Sequence, residues 1–205
     1  ARAERVWVSD SNDALDRFDI QRNANLFLPP EMCGVHVGPA SCHVTGRRLS
    51  LDLRAHVAMF GHMGLELDLR ELSANECERL ARHIENHKTF RALVHSGRYW
   101  RLALDDDHAG VAASSADGRE AVALVVRTGS AALGRGTTLR VNVLRADVAY
   151  RDAAVAPLNR SVEQGLAPGL KEGSLMLDGR VLAARGLELY LARPATSLLV
   201  RFVAA

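Results

Sequence analysis

The spacing of the apolar residues changes once along this chain, near residue 97, and the change limits the folds open to it. Before that point, short apolar runs alternate with helix-length patterns. After it, short β-type runs follow one another and are separated by glycine-containing turns. Alternating strands and helices indicate a parallel α/β unit, whereas a series of short strands indicates an antiparallel one. We therefore expect an α/β unit at residues 1–96 and an all-β unit at residues 97–205.

Three strands and three helices are predicted in the first unit, and right-handed crossovers would make the strands parallel. The strand candidates are Val6–Val8, "MCGVHVG" (32–38) and "GLELDL" (64–69). The first helix candidate begins at Asp13, has Leu15, Phe18 and Ala24 on its inner face, and ends before Pro29-Pro30. The others are "SLDLRAHVAMFG" (50–61) and a long helix through Phe90. Ser73-x-x-Glu76 is a capping box that would open the long helix.

The second unit is predicted to be an antiparallel sandwich or Greek key, because its strands are short and regularly divided. The predicted turns are Asp117-Gly118, Gly134-Arg135-Gly136, Pro168-Gly169 and Asp178-Gly179. The segment "GSAALGRG" (129–136) has no lysine followed by serine or threonine at phosphate-loop positions and precedes a strand. A hairpin loop is the better interpretation of it.

The charge of the chain gives no sign of a nucleic-acid or membrane surface. Its 26 basic and 24 acidic residues leave a net charge of +2, and the basic residues are scattered. No apolar run reaches membrane-spanning length, and no secretory signal is recognisable. The three cysteines form no CxxC pair, which favours a reducing, cytoplasmic environment.

The stretch "WVSDSNDALDRFDIQ" (7–21) places Asp10 where a strand ends and a helix begins. In a parallel α/β barrel, that edge carries the catalytic loops. The alternative is that Asp10, Ser11 or Asp13 caps the helix, and from spacing alone we favour the cap.

The same stretch resembles the W-x-S-D-x-x-D-A-x-x-R-x-x-I-Q segment of the bacterial α-galactosidases of glycoside hydrolase family 36. The matching positions are Trp7, Ser9, Asp10, Asp13, Ala14, Arg17, Ile20 and Gln21. The resemblance continues through "LPPEMCGVHVGP", "CHVTGR", "HVAMFGHMGLELDL" and "LSANECERLARHIENHKTFRALVHSGRYWRL". It covers about the first hundred residues, whereas over the β half it is only architectural.

The resemblance implies a retaining α-galactosidase that releases terminal α-linked galactose from sugars such as melibiose and raffinose, without a cofactor or metal. Asp10 would be the general acid/base. The family's nucleophile lies in a K-W-D segment, and a C-x-S-G-G-G-R segment precedes the acid/base; this sequence contains neither. The chain would then be the C-terminal part of a (β/α)8 barrel (1–96) followed by an antiparallel β-sandwich (97–205). We expect such a fragment to be inactive alone, to need the rest of the barrel as a partner, and to form a homo-oligomer.

Several further residues are candidates for substrate binding or for support of Asp10. They are Trp7, Ser9, Asp13, Arg17, His43 and Arg47. Asp13 and Arg17 lie one helical turn apart, and an ion pair worth a few tenths of a kcal/mol is favoured over a brace that holds Asp10. Trp7 would stack on a sugar or fill the core. His36 is as much a core histidine as a site residue.

Other interpretations remain open or are disfavoured. A zinc site at Cys33, His36, Cys42 and His43 lacks the usual paired spacing. His83 and His87 lack a correctly placed glutamate for a zincin, so a solvated helix face is expected there. The alternative functions are a non-catalytic carbohydrate-binding or assembly remnant and, within the family, an α-N-acetylgalactosaminidase or a galactosyl transferase.

Overall fold

The computed structural model describes residues 4–130 and 136–205, and the chain forms two compact units that divide between Ser96 and Gly97. The first unit contains a three-stranded sheet with the order β1-β2-β3. Its strands are β1 (Val6–Trp7), β2 (Cys33–Val37) and β3 (His62–Leu65), and both pairings are parallel, as predicted. Its helices are α1 (Ala14–Ala24), α2 (Leu51–Ala58) and α3 (Ala74–Ser96), with short 3-10 helices at Pro30–Met32 and Leu69–Glu71.

The strand β3 begins and ends earlier than the predicted "GLELDL" segment. After Leu65, the Glu66 N–H still donates a hydrogen bond to the carbonyl of Val37 in β2, at 3.0 Å. Asp68 then accepts a hydrogen bond from the Arg70 N–H and caps the following 3-10 helix. Because an aspartate that bonds its own backbone two residues on favours a turn, the strand cannot extend through it.

The core of the first unit lies where α2 covers one face of the sheet. All eight residues of α2 are buried, as are Cys33, Val35 and Val37 of β2. Gly61 follows α2 in a position where a Cβ atom would lie 2.8 Å from the Cys33 carbonyl oxygen. Only glycine allows the backbone to approach this closely.

The predicted capping box at the start of α3 is confirmed. The Ser73 N–H donates to Glu76 Oε2 at 2.9 Å, and the Glu76 N–H donates to Ser73 Oγ at 3.3 Å. The helix runs for 23 residues. The capping box fixes where the helix begins, and its buried face continues as far as Val94.

The prediction that His83 and His87 lie on a solvated face is wrong, because both side chains are buried. His83 Nε2 lies 2.9 Å from Oδ1 of the buried Asp52, and Arg79 Nη2 reaches the same carboxylate at 2.7 and 2.8 Å. The pKa of the Asp52 carboxyl is lowered by these partners, although burial opposes the shift. Burial lowers the pKa of His87 to about 4, so this imidazole is neutral at pH 7 and packs as an aromatic ring.

The second unit contains an antiparallel six-stranded sheet with the order β4-β5-β6-β11-β8-β9 and a two-stranded sheet of β7 and β10. Its strands are β4 (Arg98–Leu102), β5 (His108–Ser114), β6 (Glu120–Arg127), β7 (Thr137–Leu139), β8 (Ala149–Ala154), β9 (Leu175–Asp178), β10 (Leu187–Leu189) and β11 (Thr196–Ala204). Three short helices complete it: α4 (Arg160–Glu163), α5 (Pro168–Glu172) and α6 (Gly179–Ala184).

Antiparallel pairing was predicted for this unit and is confirmed, but two of the four predicted turns are wrong. Pro168 is the first residue of α5 and Gly179 the first residue of α6. Proline suits the first position of a helix, because its missing N–H has no partner there in any case. The Asp117-Gly118 turn joins β5 to β6, with Gly118 at a φ of +68°. The remaining predicted turn, at 134–136, and the predicted hairpin loop at 129–136 fall largely outside the described residues.

The core of the second unit is mostly apolar, and its buried charged side chains include Arg127 on β6 and Asp152 on β8. The two-stranded sheet contributes Leu139 and Leu189 to the same buried cluster as Val125 and Val200 of the large sheet. On β8, Asp152 is 0% exposed, and neither of its carboxyl oxygens has a hydrogen-bond partner among the described residues. Within the described part of the chain, no helix has the length and apolarity needed to cross a membrane.

Candidate active site

The carboxyl ends of the three parallel strands bring polar side chains to one edge of the first unit. Asp10 and Asn12 follow β1, His36 lies near the end of β2, and Glu66 directly follows β3. Parallel strands end at the same edge of a sheet, which is where α/β proteins bind their ligands. The sequence interpretation missed Asn12 and Glu66, although each follows a strand closely enough to have been a candidate.

Asp13, and not Asp10, caps helix α1. Its Oδ1 accepts hydrogen bonds from the Leu15 N–H at 3.0 Å and the Asp16 N–H at 3.3 Å. Its Oδ2 accepts from Thr45 Oγ1 at 2.6 Å and pairs with Arg47 Nε at 3.0 Å. The carboxylate of Asp13 is therefore fully occupied in holding the helix N-terminus and the following loop.

Asp10 is exposed and takes no part in this cap. The backbone around it is shaped by short-range bonds: Ser9 Oγ accepts from the Ser11 N–H at 3.0 Å, and Ser11 Oγ accepts from the Asp13 N–H at 3.3 Å. The helix-cap alternative for this carboxylate is therefore excluded by the structure. Asp10 therefore stays exposed at the end of β1 and before the capped N-terminus of α1.

Arg17 bonds to the backbone on both sides of Asp10. Its Nη1 lies 3.2 Å from the carbonyl oxygens of both Ser9 and Ser11, and its guanidinium lies 5.8 Å from the centre of the Trp7 ring. The favoured prediction of an Asp13–Arg17 ion pair is wrong, because Asp13 pairs with Arg47. Burial lowers the pKa of Arg17 to about 10, although Glu66 opposes the shift.

His36 lies beneath this turn and is buried. Its ring is stacked on the indole of Trp7 with centroids 4.7 Å apart. Its Nε2 lies 2.8 Å from Glu66 Oε2 and 2.9 Å from Asn12 Oδ1. Burial, followed by the nearby Arg17 charge, lowers the pKa of His36 to about 4, so the imidazole is neutral at pH 7.

Trp7 is not a core residue, since half of its surface (50%) is exposed. The strand register places Trp7, Gly34 and His62 in one row, and side chains of one row point to the same face of a parallel sheet. This face lines a cavity of about 820 Å³ that also extends along α3. A half-exposed indole beside a cavity is a surface that can pack against a ligand ring.

The remaining predicted site residues lie on the loop after β2. Arg47 bridges Asp13 and Asp16, the latter at 2.9 Å, and His43 is exposed. Among the described residues, no hydrogen bond, ion pair or ring contact is seen between either of them and Asp10, His36 or Trp7. The zinc interpretation finds no support: Cys33 Sγ lies close to Asn25 and to the Pro29 carbonyl, and no group of three or more potential ligands is placed to hold a metal within residues 4–130 and 136–205.

Comparisons with known proteins relate the chain to a family. Residues 1–97 match the family model described as Melibiase. The chain is 34% identical over 206 aligned residues to an α-galactosidase of Escherichia coli. This alignment covers 97% of the chain and 29% of the relative. It is 32% identical to a bifunctional α-galactosidase/sucrose kinase, AgaSK, of Mediterraneibacter gnavus over 71% of this chain and 16% of that protein.

The fold of the whole chain is found in solved structures. The crystal structure of a variant of the GH36 α-galactosidase AgaA from Geobacillus stearothermophilus in complex with raffinose superimposes with a TM-score of 0.84 and 28% identity. That match covers 98% of this chain and 26% of the neighbour, so the chain spans about a quarter of the length of such proteins. By sequence and by fold, the chain belongs to glycoside hydrolase family 36 and corresponds to one portion of the relatives that it matches.

Proposed function

We propose that this chain is part of a retaining α-galactosidase and that Asp10 is its general acid/base. The observation that carries the proposal is the position of Asp10, an exposed carboxylate at the carboxyl edge of a parallel sheet that is not used as a helix cap. The relatives support the reaction class, because those reported above are named α-galactosidases and one was crystallised with raffinose.

In this reaction, Asp10 acts twice. As a carboxylic acid it donates a proton to the glycosidic oxygen while a second carboxylate attacks the anomeric carbon and the bond to the leaving sugar breaks. As a carboxylate it then takes a proton from the water that hydrolyses the galactosyl–enzyme, and the nucleophile is released. The two carboxyl groups must lie about 5–5.5 Å apart. The nucleophile comes from a part of the protein that precedes this chain.

The finer architecture belongs to the same proposal. Residues 1–96 would complete a (β/α)8 barrel with the rest of the catalytic domain, and residues 97–205 would form its β-sandwich. Trp7 would pack against the sugar, and His43 would reach it from the loop after β2. Ser9, Asp13 and Arg47 would shape the turn and loop around Asp10, as their bonds in the structure suggest. A homo-oligomer in the cytoplasm is the expected state of the whole enzyme.

The test uses the protein extended upstream to the length of its relatives, as wild type, Asp10→Asn and Asp19→Asn. Asp19 is an exposed carboxylate on α1 and serves as the matched control. We expect Asp10→Asn to lose raffinose hydrolysis and Asp19→Asn to keep it. With p-nitrophenyl α-galactoside, azide should restore turnover of Asp10→Asn and give a galactosyl azide of retained configuration.

Each contrary outcome has a distinct meaning. If Asp10→Asn cleaves raffinose at the wild-type rate, the assignment of Asp10 is wrong. If the wild-type protein binds raffinose without cleaving it, the chain belongs to a carbohydrate-binding remnant. Faster cleavage of the α-N-acetylgalactosaminide than of the galactoside would change the substrate, and galactosyl transfer in place of hydrolysis would change the reaction.

A further inference from the structure

We propose that Arg17 is the positioning residue of this site and that it fixes Asp10 through the two main-chain carbonyls that flank it. The inference rests on the proposed function, because it concerns the general acid/base of that reaction. It is carried by the hydrogen bonds and burial of Arg17.

Both hydrogens of Arg17 Nη1 are donated to the backbone on either side of Asp10. A guanidinium Nη carries two hydrogens, and two carbonyl oxygens, those of Ser9 and Ser11, lie 3.2 Å from it. The 3.1 Å approach of Nη1 to His36 Nε2 is therefore not a third donation. His36 Nε2 carries its own hydrogen and donates it toward Glu66, whose carboxylate can only accept.

The surroundings of Arg17 are unfavourable for stability, which indicates that another requirement places it there. The residue is 2% exposed, and among the described residues no carboxylate pairs with it, because Asp13 is engaged by Arg47 and Thr45. Its Nε and Nη2 are buried without a hydrogen-bond partner in the described part of the chain. Natural proteins accept such costs mainly at functional sites.

The shared donor holds the turn as one rigid piece. Ser9 and Ser11 are bound to the same nitrogen, so the residue between them cannot rotate without breaking at least one of these bonds. His36 lies against Arg17, with Nε2 3.1 Å from Nη1, and its ring stacks on Trp7. An acid that must meet a leaving oxygen needs this fixed geometry, since a displacement of about 1 Å can cost about 10²-fold in rate.

The experiment measures kcat/KM of the upstream-extended protein on two substrates with different leaving groups. Raffinose needs the proton from Asp10, whereas p-nitrophenol leaves with little acid assistance. We expect Arg17→Met to lower kcat/KM for raffinose by about 10²-fold and for the p-nitrophenyl glycoside much less. Arg17→Lys should recover part of the loss, because an ammonium carries three N–H donors, enough for both carbonyls. In an Asp10→Asn background, Arg17→Met should add no further loss on raffinose.

Phe18→Leu is the matched structural control, because Phe18 is buried beside Arg17 on α1 but does not touch the turn through hydrogen bonds. It should lower kcat/KM for both substrates by the same factor. Amide hydrogen exchange at residues 9–12 should accelerate in Arg17→Met and not in Phe18→Leu.

The outcomes separate the two proposals. Equal losses of kcat/KM on both substrates in Arg17→Met would overturn the positioning role while leaving Asp10 as the acid/base. Unchanged exchange at residues 9–12 would overturn it even if the protein proved inactive on α-galactosides. Wild-type inactivity together with accelerated exchange would remove the proposed function and reduce Arg17 to a brace without a catalytic role.

Discussion

The Asp152 carboxyl of β8 is buried on the same side of its strand as Tyr150, facing the apolar core of the second unit. Burial raises its pKa from 3.8 to about 7. The folded unit therefore holds this proton far more tightly than the unfolded chain does. The contribution of this protonated group to stability is fully present below pH 4 and is lost as the pH rises toward 7. Above pH 4, the unfolded chain releases the proton, whereas the folded unit must either keep it or ionise the carboxyl in the core.

The size of the effect follows from this pKa difference. A difference of about three pH units corresponds to about 4 kcal/mol at 1.36 kcal/mol per unit. Replacing Asp152 by Asn keeps the shape of the side chain and removes the titration. Asp152→Asn should therefore differ little from wild type at pH 4 and gain about 1.4 kcal/mol per pH unit, up to about 4 kcal/mol above pH 7.

Fluorescence can report on the second unit alone, since the chain contains only two tryptophans, Trp7 and Trp100, one in each unit. In a Trp7→Phe background, urea unfolding from pH 4 to 8.5 would give the free energy of unfolding of the second unit. Asp178 is an exposed carboxylate on the neighbouring strand, and Asp178→Asn is the control that should leave the pH dependence unchanged. A difference between Asp152→Asn and wild type that stays flat with pH would refute the reasoning.

Three further substitutions test contacts of the first unit, each by the free energy of unfolding in urea. Asp13→Ala removes the α1 cap and should cost about 1–2 kcal/mol; a change below about 0.3 kcal/mol would show that the cap is not needed. Asp52→Asn removes the buried carboxylate that pairs with Arg79, leaves the Arg79 charge without this partner and should cost about 3 kcal/mol, so a neutral result would argue against that network. Gly61→Ala forces a Cβ against the Cys33 carbonyl and should cost about 1–3 kcal/mol, and a stabilised protein would contradict the close approach.

Much of the first unit could be predicted because its local signals agree with its tertiary structure. The Ser73–Glu76 box begins a helix in the structure, and the apolar runs before it form parallel strands. Which residue caps α1 could not be predicted from the sequence, since the side chains of Asp10, Ser11 and Asp13 can all accept the hydrogen bonds of an N-cap. The choice depends on Thr45 and Arg47, which reach Asp13 from a loop about 30 residues away in sequence.

Histidines and turn residues account for the main errors. His83 and His87 continue the inner face of α3 at helical spacing, but their polarity suggested solvent, because the Asp52 partner of His83 is not visible in the sequence. In the second unit, Pro168 and Gly179 were assigned to turns, although proline equally suits a helix start. The role of Arg17 depends on carbonyl groups, which every residue carries and no sequence pattern reveals.

The order of strands in the second unit has a consequence for its synthesis on the ribosome. β11 lies between β6 and β8, with eight residue pairs to the former and five to the latter. Residues 196–204 are thus translated after every strand that they join. Until they leave the exit tunnel, β6 and β8 each lack this neighbour, and the nascent sheet exists as two halves with open edges. The six-stranded sheet is therefore completed only after all of its strands have been translated, and until then its open edges are prone to aggregation.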